Sequence, residues 1–209
     1  MTVPVRDAAT VMLVRDGDDG IEVFMLKRHA DLVFVPGAYV FPGGAVDTAD
    51  RAVGHDPFVV AAIRECFEEA GALLAYVDGD RFVDLHDEAA AVRFREYRDA
   101  VHAGRLTIHD LCELEGLRLA VDALQPVSRW VTPPRSPRRF DTRFFVARAP
   151  SNQAFLHDDR ETTASEWVRP CDALERFRAG DIELILPTER SLQMLAGAHS
   201  VDALLVPAG

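Results

Sequence analysis

Residues 57–71, PFVVAAIRECFEEAG, constrain this chain more than any other segment. Asp56 suits a helix N-cap, Pro57 the first helical position, and Gly71 the stop, so a helix is expected from about Pro57 to Ala70. Within it Glu65 and Glu69 stand four residues apart and Glu68 lies one turn from Glu65, so three carboxylates share a face. Val60, Ile63, Phe67 and Ala70 fall on the opposite face and can pack against a sheet. Cys66 lies between the two. In water each like-charge pair costs only roughly 0.2–0.5 kcal/mol. In a cleft of effective dielectric near 20, charges ~5 Å apart repel by about 3 kcal/mol per pair. Energy alone therefore permits a solvated acidic face; a compensating cation is required only if the face lines a cleft.

Strands to receive that helix are legible on either side of it. DAATVMLVRD (7–16) and IEVFMLKR (21–28) are β-rich runs joined by the turn signal GDDG, and read as a hairpin. YVFPGG (39–44) ends a short strand in a glycine pair. PVSRWVTP (126–133) and RFDTRFFVARAP (139–150) return to strand character, followed by a polar loop, SNQAFLHDDRETTASE (151–166), and a short strand, WVRP (167–170). Between about 84 and 124 the pattern is helical in two pieces, the second capped by Thr107. Helices are also expected over DALERFRAG (172–180) and, begun by a proline, PTERSLQMLAGAH (187–199). There is no internal repeat, no low-complexity tract and no long linker. The expected class is α+β: one domain over 1–209, with a helical insertion at about 84–124.

Composition excludes several functions. With 34 acidic against 23 basic residues the formal charge is -11, and a sequence-independent nucleic-acid binder would need a basic footprint instead. An anionic substrate requires metal ions or local arginines to invert that field. Cys66, Cys112 and Cys171 are odd in number and include no CxxC, as expected of reduced thiols. Acids and bases enter the N-terminal segment too early for a signal peptide, and no apolar run approaches membrane-spanning length. The expectation is a cytoplasmic protein with neither nucleic-acid nor membrane partner; a homodimer is compatible with the sequence.

FPGG (Phe41–Gly44) followed by RECFEEAG (Arg64–Gly71) resembles the signature of the Nudix hydrolases, G-x5-E-x7-R-E-U-x-E-E-x-G-U with U apolar. Arg64, Glu65, Glu68, Glu69 and Gly71 stand in register, and Cys66 and Ala72 fill the apolar positions. Five fixed positions match by chance about once in a million windows, which favours the resemblance over an ordinary solvated face. One feature departs from it. Gly44 to Arg64 spans twenty positions against fourteen, an insertion of six. The first glutamate of the signature falls on Asp50 counted forward from Gly44, and on Asp56 counted back from Arg64.

The resemblance implies a mixed β-sheet sandwiched between helices, and hydrolysis of a nucleoside diphosphate linked to another moiety. Hydroxide attack on a polyanion needs charge neutralised on both sides of the bond, which two or more Mg²⁺ or Mn²⁺ ions in a carboxylate cluster supply. Glu65 and Glu69 would be the main ligands, with Glu68 completing the cluster and a backbone carbonyl at Gly43 or Gly44 adding another. Arg64 would orient a glutamate; a plain i,i+4 pair with Glu68 is the other reading. A further acid is expected from HDDRETTASEW, Glu161 in preference to Glu166, as a metal ligand or general base.

For the substrate, Gly37 with FPGG looks like the end of the coenzyme A diphosphatase motif, although that motif's arginine falls on Val33. The long signature, the insertion and RRFDTRFF resemble a larger Nudix branch associated with CoA and acyl-CoA. On that reading Arg139, Arg143, Arg138 and Arg135 could contact a 3′-phosphate, or PPRSPRR could be a solvated turn. ADP-ribose, NADH or another nucleotide conjugate is the alternative substrate. A catalytically silent ligand sensor of the same fold is the alternative of a different class; the intact glutamate trio and the lack of a helix-turn-helix count against it.

Overall fold

A computed structural model describes residues 3–30, 36–52, 54–158 and 161–205. Val33, which bears on the coenzyme A motif, lies outside them. Strands β1 (Val5–Gly17) and β2 (Gly20–Arg28) form the expected hairpin, but they pair only near the turn, from Val14↔Val23 to Gly17↔Gly20. Beyond that the arms splay. Into the gap go β3 (Tyr39–Val40), on β2, and β4 (Gly43–Ala45), on β1. The glycine pair is thereby driven into the middle of the sheet as a wedge.

Helix α1 (Pro57–Ala70) forms as the sequence predicts, and its ends show why. The Asp56 side chain accepts from the Phe58 N–H, and Gly71 closes the helix at φ 70°, which glycine adopts at little cost. Val60, Ile63, Phe67 and Ala70 are all buried against the sheet. At roughly 1.5–3 kcal/mol per large side chain buried, this face anchors the acidic one opposite.

The second half of the chain supplies the neighbouring strands. β8 (Gln125–Val131) pairs with β9 (Arg139–Arg148), and β9 runs parallel to β1. The far edge is β10 (Thr162–Val168), antiparallel to β2, so the order is β10-β2-β1-β9-β8. Both faces are covered. Ala9, Val11, Leu13 and Phe145 face α1, whereas Met12, Val14, Phe144 and Val146 face α4 (Pro170–Ala179) and α5 (Leu186–Leu195). The alternation along β1 and β9 is what allows two cores, and the sandwich is the Nudix arrangement the sequence predicts.

Three elements differ from expectation. Residues 72–83, assigned nothing above, hold β5 (Ala75–Asp78) and β6 (Arg81–Phe82) around the Asp78-Gly79 turn, in a small separate sheet. The insertion is helical only in part. α2 (Glu88–His102) and α3 (Ile108–Glu115) form, the latter with a Thr107–Asp110 capping box, but Gly116 at φ 65° ends α3. The chain then pairs as β7 (Arg118–Leu119) with β5, and its apolar residues join the core on the α1 side. Finally, β10 begins five residues before the expected strand: TTASE (162–166), read above as loop, is recruited by the open edge of β2. A last short helix, α6 (Val201–Leu204), follows α5.

Candidate active site

Arg64 organises the acidic face of α1. Its Nε and Nη2 donate to the two oxygens of Asp50, each at 3.0 Å, and Nη2 also donates to the Ala45 carbonyl at 2.8 Å. Nη1 donates to Glu65 Oε1 at 2.9 Å and to Glu68 Oε1 at 3.1 Å. Five hydrogen bonds match the five donors of a guanidinium. Both orienting a glutamate and pairing with Glu68 therefore occur, with Asp50 as the main partner. Asp50 is 1% exposed and Arg64 7%. Burial disfavours the Arg64 charge, but the Asp50 hydrogen bonds and the fields of Glu65, Asp50 and Glu68 outweigh it and raise its pKa.

The two candidates for the first acid of the signature are thus separated. Asp50, counted forward from the glycines, holds Arg64. Asp56, counted back along the helix, caps α1 and pairs with Arg143 Nη1 at 3.0 Å. Six positions separate the two, the length of the insertion.

The glycine wedge abuts the same face. The Gly43 N–H donates to Glu69 Oε2 at 2.9 Å, and a Cβ added to Gly44 would lie 2.3 Å from Glu65 Oε1. No side chain fits there. Glu69 is 5% exposed. Burial, then the Glu65 charge, push the Glu69 carboxyl well above its usual range, with the Gly43 hydrogen bond opposing. Burial likewise pushes Glu65 up to about 7, with Arg64 opposing and Glu68 adding.

Glu161 enters the same field from the segment before β10. Its charge raises both Glu65 and Glu69, while its backbone is fixed by His29 N–H donating to its carbonyl at 2.9 Å. Glu166 instead lies along β10, where both carboxylate oxygens accept from Arg176 Nη1 at 2.9 Å. His102, at the end of α2, brings Nδ1 to 3.5 Å from Glu68 Oε2 without forming a hydrogen bond. Nothing in the local sequence marks His102, because the approach depends on how α2 docks.

A cavity of about 630 Å³ opens from the other side of the wedge. Gly43 and Gly44 line it, together with Trp130, Phe140, Phe144 and the start of α5. Arg28 is the one basic residue among the described lining residues, and its charge is felt at Glu69. It ends IEVFMLKR, read above only as a strand. The expected phosphate-binding arginines are placed elsewhere. Arg139 donates to the Thr132 and Val3 carbonyls, Arg143 covers the Phe58 ring at 3.7 Å, and Arg138 and Arg135 are exposed. None of the four lines the cavity. The Thr132 and Val3 carbonyls hold Arg139, and Asp56 holds Arg143.

Among the described residues no three His, Cys, Asp or Glu side chains converge into a ready metal cluster. The donor set still suits a hard divalent cation. Glu65 and Glu69 each have one oxygen engaged, by Arg64 and Gly43, and the other accepts no hydrogen bond from the described residues. Two half-satisfied carboxyls in mutual repulsion favour an oxygen-seeking cation over a proton as pH rises. A stability prediction follows from the raised Glu65. Between its ordinary value of 4.5 and about 7, the folded carboxyl keeps a proton that the unfolded one has released. Its contribution is fully present below 4.5 and lost as pH rises through about 7. In chelator, thermal midpoints should therefore fall from about pH 5 to about pH 8, and Mg²⁺ or Mn²⁺ should restore them at the upper end. Midpoints indifferent to both would contradict the buried-pair account.

Known proteins share this architecture. The NUDT19 Nudix domain family matches residues 53–194. A Gallus gallus protein named acyl-coenzyme A diphosphatase NUDT19 is 27% identical over 267 residues, which cover 95% of this chain. Its Homo sapiens counterpart is 27% identical over 242 residues, covering 89% of this chain. The chain spans 70% of the chicken protein's length and 62–63% of the other curated relatives. The crystal structure of a Nudix hydrolase from Alicyclobacillus acidocaldarius superposes with a TM-score of 0.78 at 29% identity, covering 96% of this chain and 95% of that one. Nudix hydrolases generally use divalent metal. No helix among the described residues is long and apolar enough to cross a membrane. With the family's match covering more than half of the sequence and the box helix formed as its pattern requires, the chain belongs to the NUDT19 Nudix domain family.

Proposed function

We propose that this chain hydrolyses the diphosphate bond of coenzyme A or acyl-CoA, giving 3′,5′-ADP and phosphopantetheine or its acyl form. The observation that carries the reading is the buried Glu65–Glu69 pair set against a glycine wedge whose far side lines a large cavity. Relatives named acyl-coenzyme A diphosphatase support the substrate class. Glu65, Glu69 and Glu68, with a backbone carbonyl at Gly44, would hold Mg²⁺ or Mn²⁺. When bound, such ions neutralise the diphosphate and acidify the attacking water.

The protein's own groups do the rest. Arg64 keeps Glu65 and Glu68 in fixed rotamers, so their carboxylates are oriented before substrate arrives. Gly44 keeps a side chain out of the approach to Glu65, and Gly43 lets the wedge lie tight against Ala9 and Thr10 of β1. Glu161, exposed beside the glutamates, would take the proton of the attacking water. One P–O bond forms, the bridging P–O bond breaks, and the displaced phosphate leaves as a second monoester.

Purified protein with Mg²⁺ or Mn²⁺, assayed on CoA, acyl-CoA, ADP-ribose and NADH with products separated, tests the reading. Release of 3′,5′-ADP, abolished by chelator, is expected. Cleavage of ADP-ribose with CoA untouched would overturn the substrate class while leaving the hydrolase. Separately, Glu161→Gln should lower kcat by about 10²-fold with KM little changed. Glu166→Gln should cost no more than about 1 kcal/mol, through its half-exposed pair with Arg176, and leave kcat intact. The opposite pattern would move the role to Glu166.

A further inference from the structure

Clefts flank the glutamates on two sides, and the sides differ in chemistry. On the wedge side, the cavity of about 630 Å³ is walled by Trp130, Phe140, Phe144, Ile185 and Leu186. On the Glu68 side, a smaller cleft of about 250 Å³ is mostly charged, with Arg95, Arg98, His102 and His157 beside Glu68, Asp99 and Asp158. A substrate whose diphosphate rests on the glutamates sends one arm toward each. We infer that the apolar cavity receives the pantetheine arm and its acyl chain, and that the 3′-phosphoadenosine lies outside it. The inference rests on the diphosphatase reading and adds the direction in which the substrate lies.

Charge and desolvation decide between the arms. A ribose 3′-phosphate is dianionic and needs cationic partners wherever it is taken out of water. The cavity's one lining cation among the described residues, Arg28, ends β2 next to His29, whose N–H binds the Glu161 carbonyl, and so it lies at the diphosphate end. The rest of the polar lining is uncharged: Thr10, Thr132, Ser136, Thr142 and Thr188. Hydroxyls suit the amide and thioester carbonyls of an acyl-pantetheine, and the aromatic and aliphatic wall suits methylenes. Adenine could stack on Trp130, but it would bring its neighbouring 3′-phosphate into an apolar wall. The volume falls within the range of small-molecule pockets.

S-octanoyl-pantetheine, which lacks the nucleotide, is the direct probe. Titrated into the whole protein, it should change Trp130 fluorescence saturably. The change should vanish in Trp130→Phe, where Trp167, packed on Phe24 and Phe155, remains as an internal control. Excess 3′,5′-ADP should not displace it. In turnover, KM should fall about two- to fourfold per added methylene from acetyl- to octanoyl-CoA. Leu186→Asp, at a position already 53% exposed, should flatten that dependence without unfolding the protein. Displacement by 3′,5′-ADP, or a KM blind to chain length, would overturn the inference and place the nucleoside in the cavity. If octanoyl-pantetheine binds while no CoA ester is cleaved, the diphosphatase reading fails and the cavity's ligand class stands.

Discussion

Glu69→Gln should lower diphosphate hydrolysis by at least about 10²-fold while leaving the fold intact. The substitution keeps the shape, and the amide oxygen can still accept the Gly43 N–H. What disappears is one of two buried charges that a cation would balance. Loss should therefore appear in kcat, and in weaker Mn²⁺ binding measured directly on the protein. Stability should move the other way. Without metal, burial and the Glu65 charge both oppose ionisation of Glu69 in the wild type, so the neutral amide variant should be no less stable. Near-normal turnover would remove Glu69 from the metal helix.

Arg64→Met should be the most destabilising change in the site, by about 3–5 kcal/mol. It strips two hydrogen bonds from Asp50, which is 1% exposed, and leaves that carboxylate buried and unpaired. It also frees Glu65 and Glu68 to turn away from each other. Against a typical margin of roughly 5–15 kcal/mol, the variant would stay folded but unfold at markedly lower urea. Adding Asp50→Leu should recover part of the loss, because the orphaned charge is removed with its partner. A single variant losing under about 1 kcal/mol would show that the Arg64–Asp50 pair is not structural.

The acidic helix was legible because everything that defines it is local. Asp56, Pro57 and Gly71 set its ends, and a period of 3.6 residues puts Glu65, Glu68 and Glu69 opposite Ile63 and Phe67 whatever the rest of the chain does. The two strands before it and their alternation were readable for the same reason. Elements whose state depends on a partner were not. TTASE becomes strand because β2 has an open edge, and Arg118–Leu119 becomes strand because β5 stands beside it.

The same division runs through the site. Counting residues cannot choose between Asp50 and Asp56, since the inserted loop shifts one count against the other; the burial of Asp50 beside Arg64 does. Nor does composition say which arginine meets a phosphate. Arg139 and Arg143 look available in the sequence but are held by Val3, Thr132 and Asp56, while Arg28, more than a hundred residues away, lines the cavity. By itself the sequence determined the carboxylate spacing and the family, because helix periodicity and capping act over a few residues. Tertiary structure decided which acids converge, where the cavity opens and which cation serves it, because those depend on strand pairing between distant segments, and no local rule encodes that.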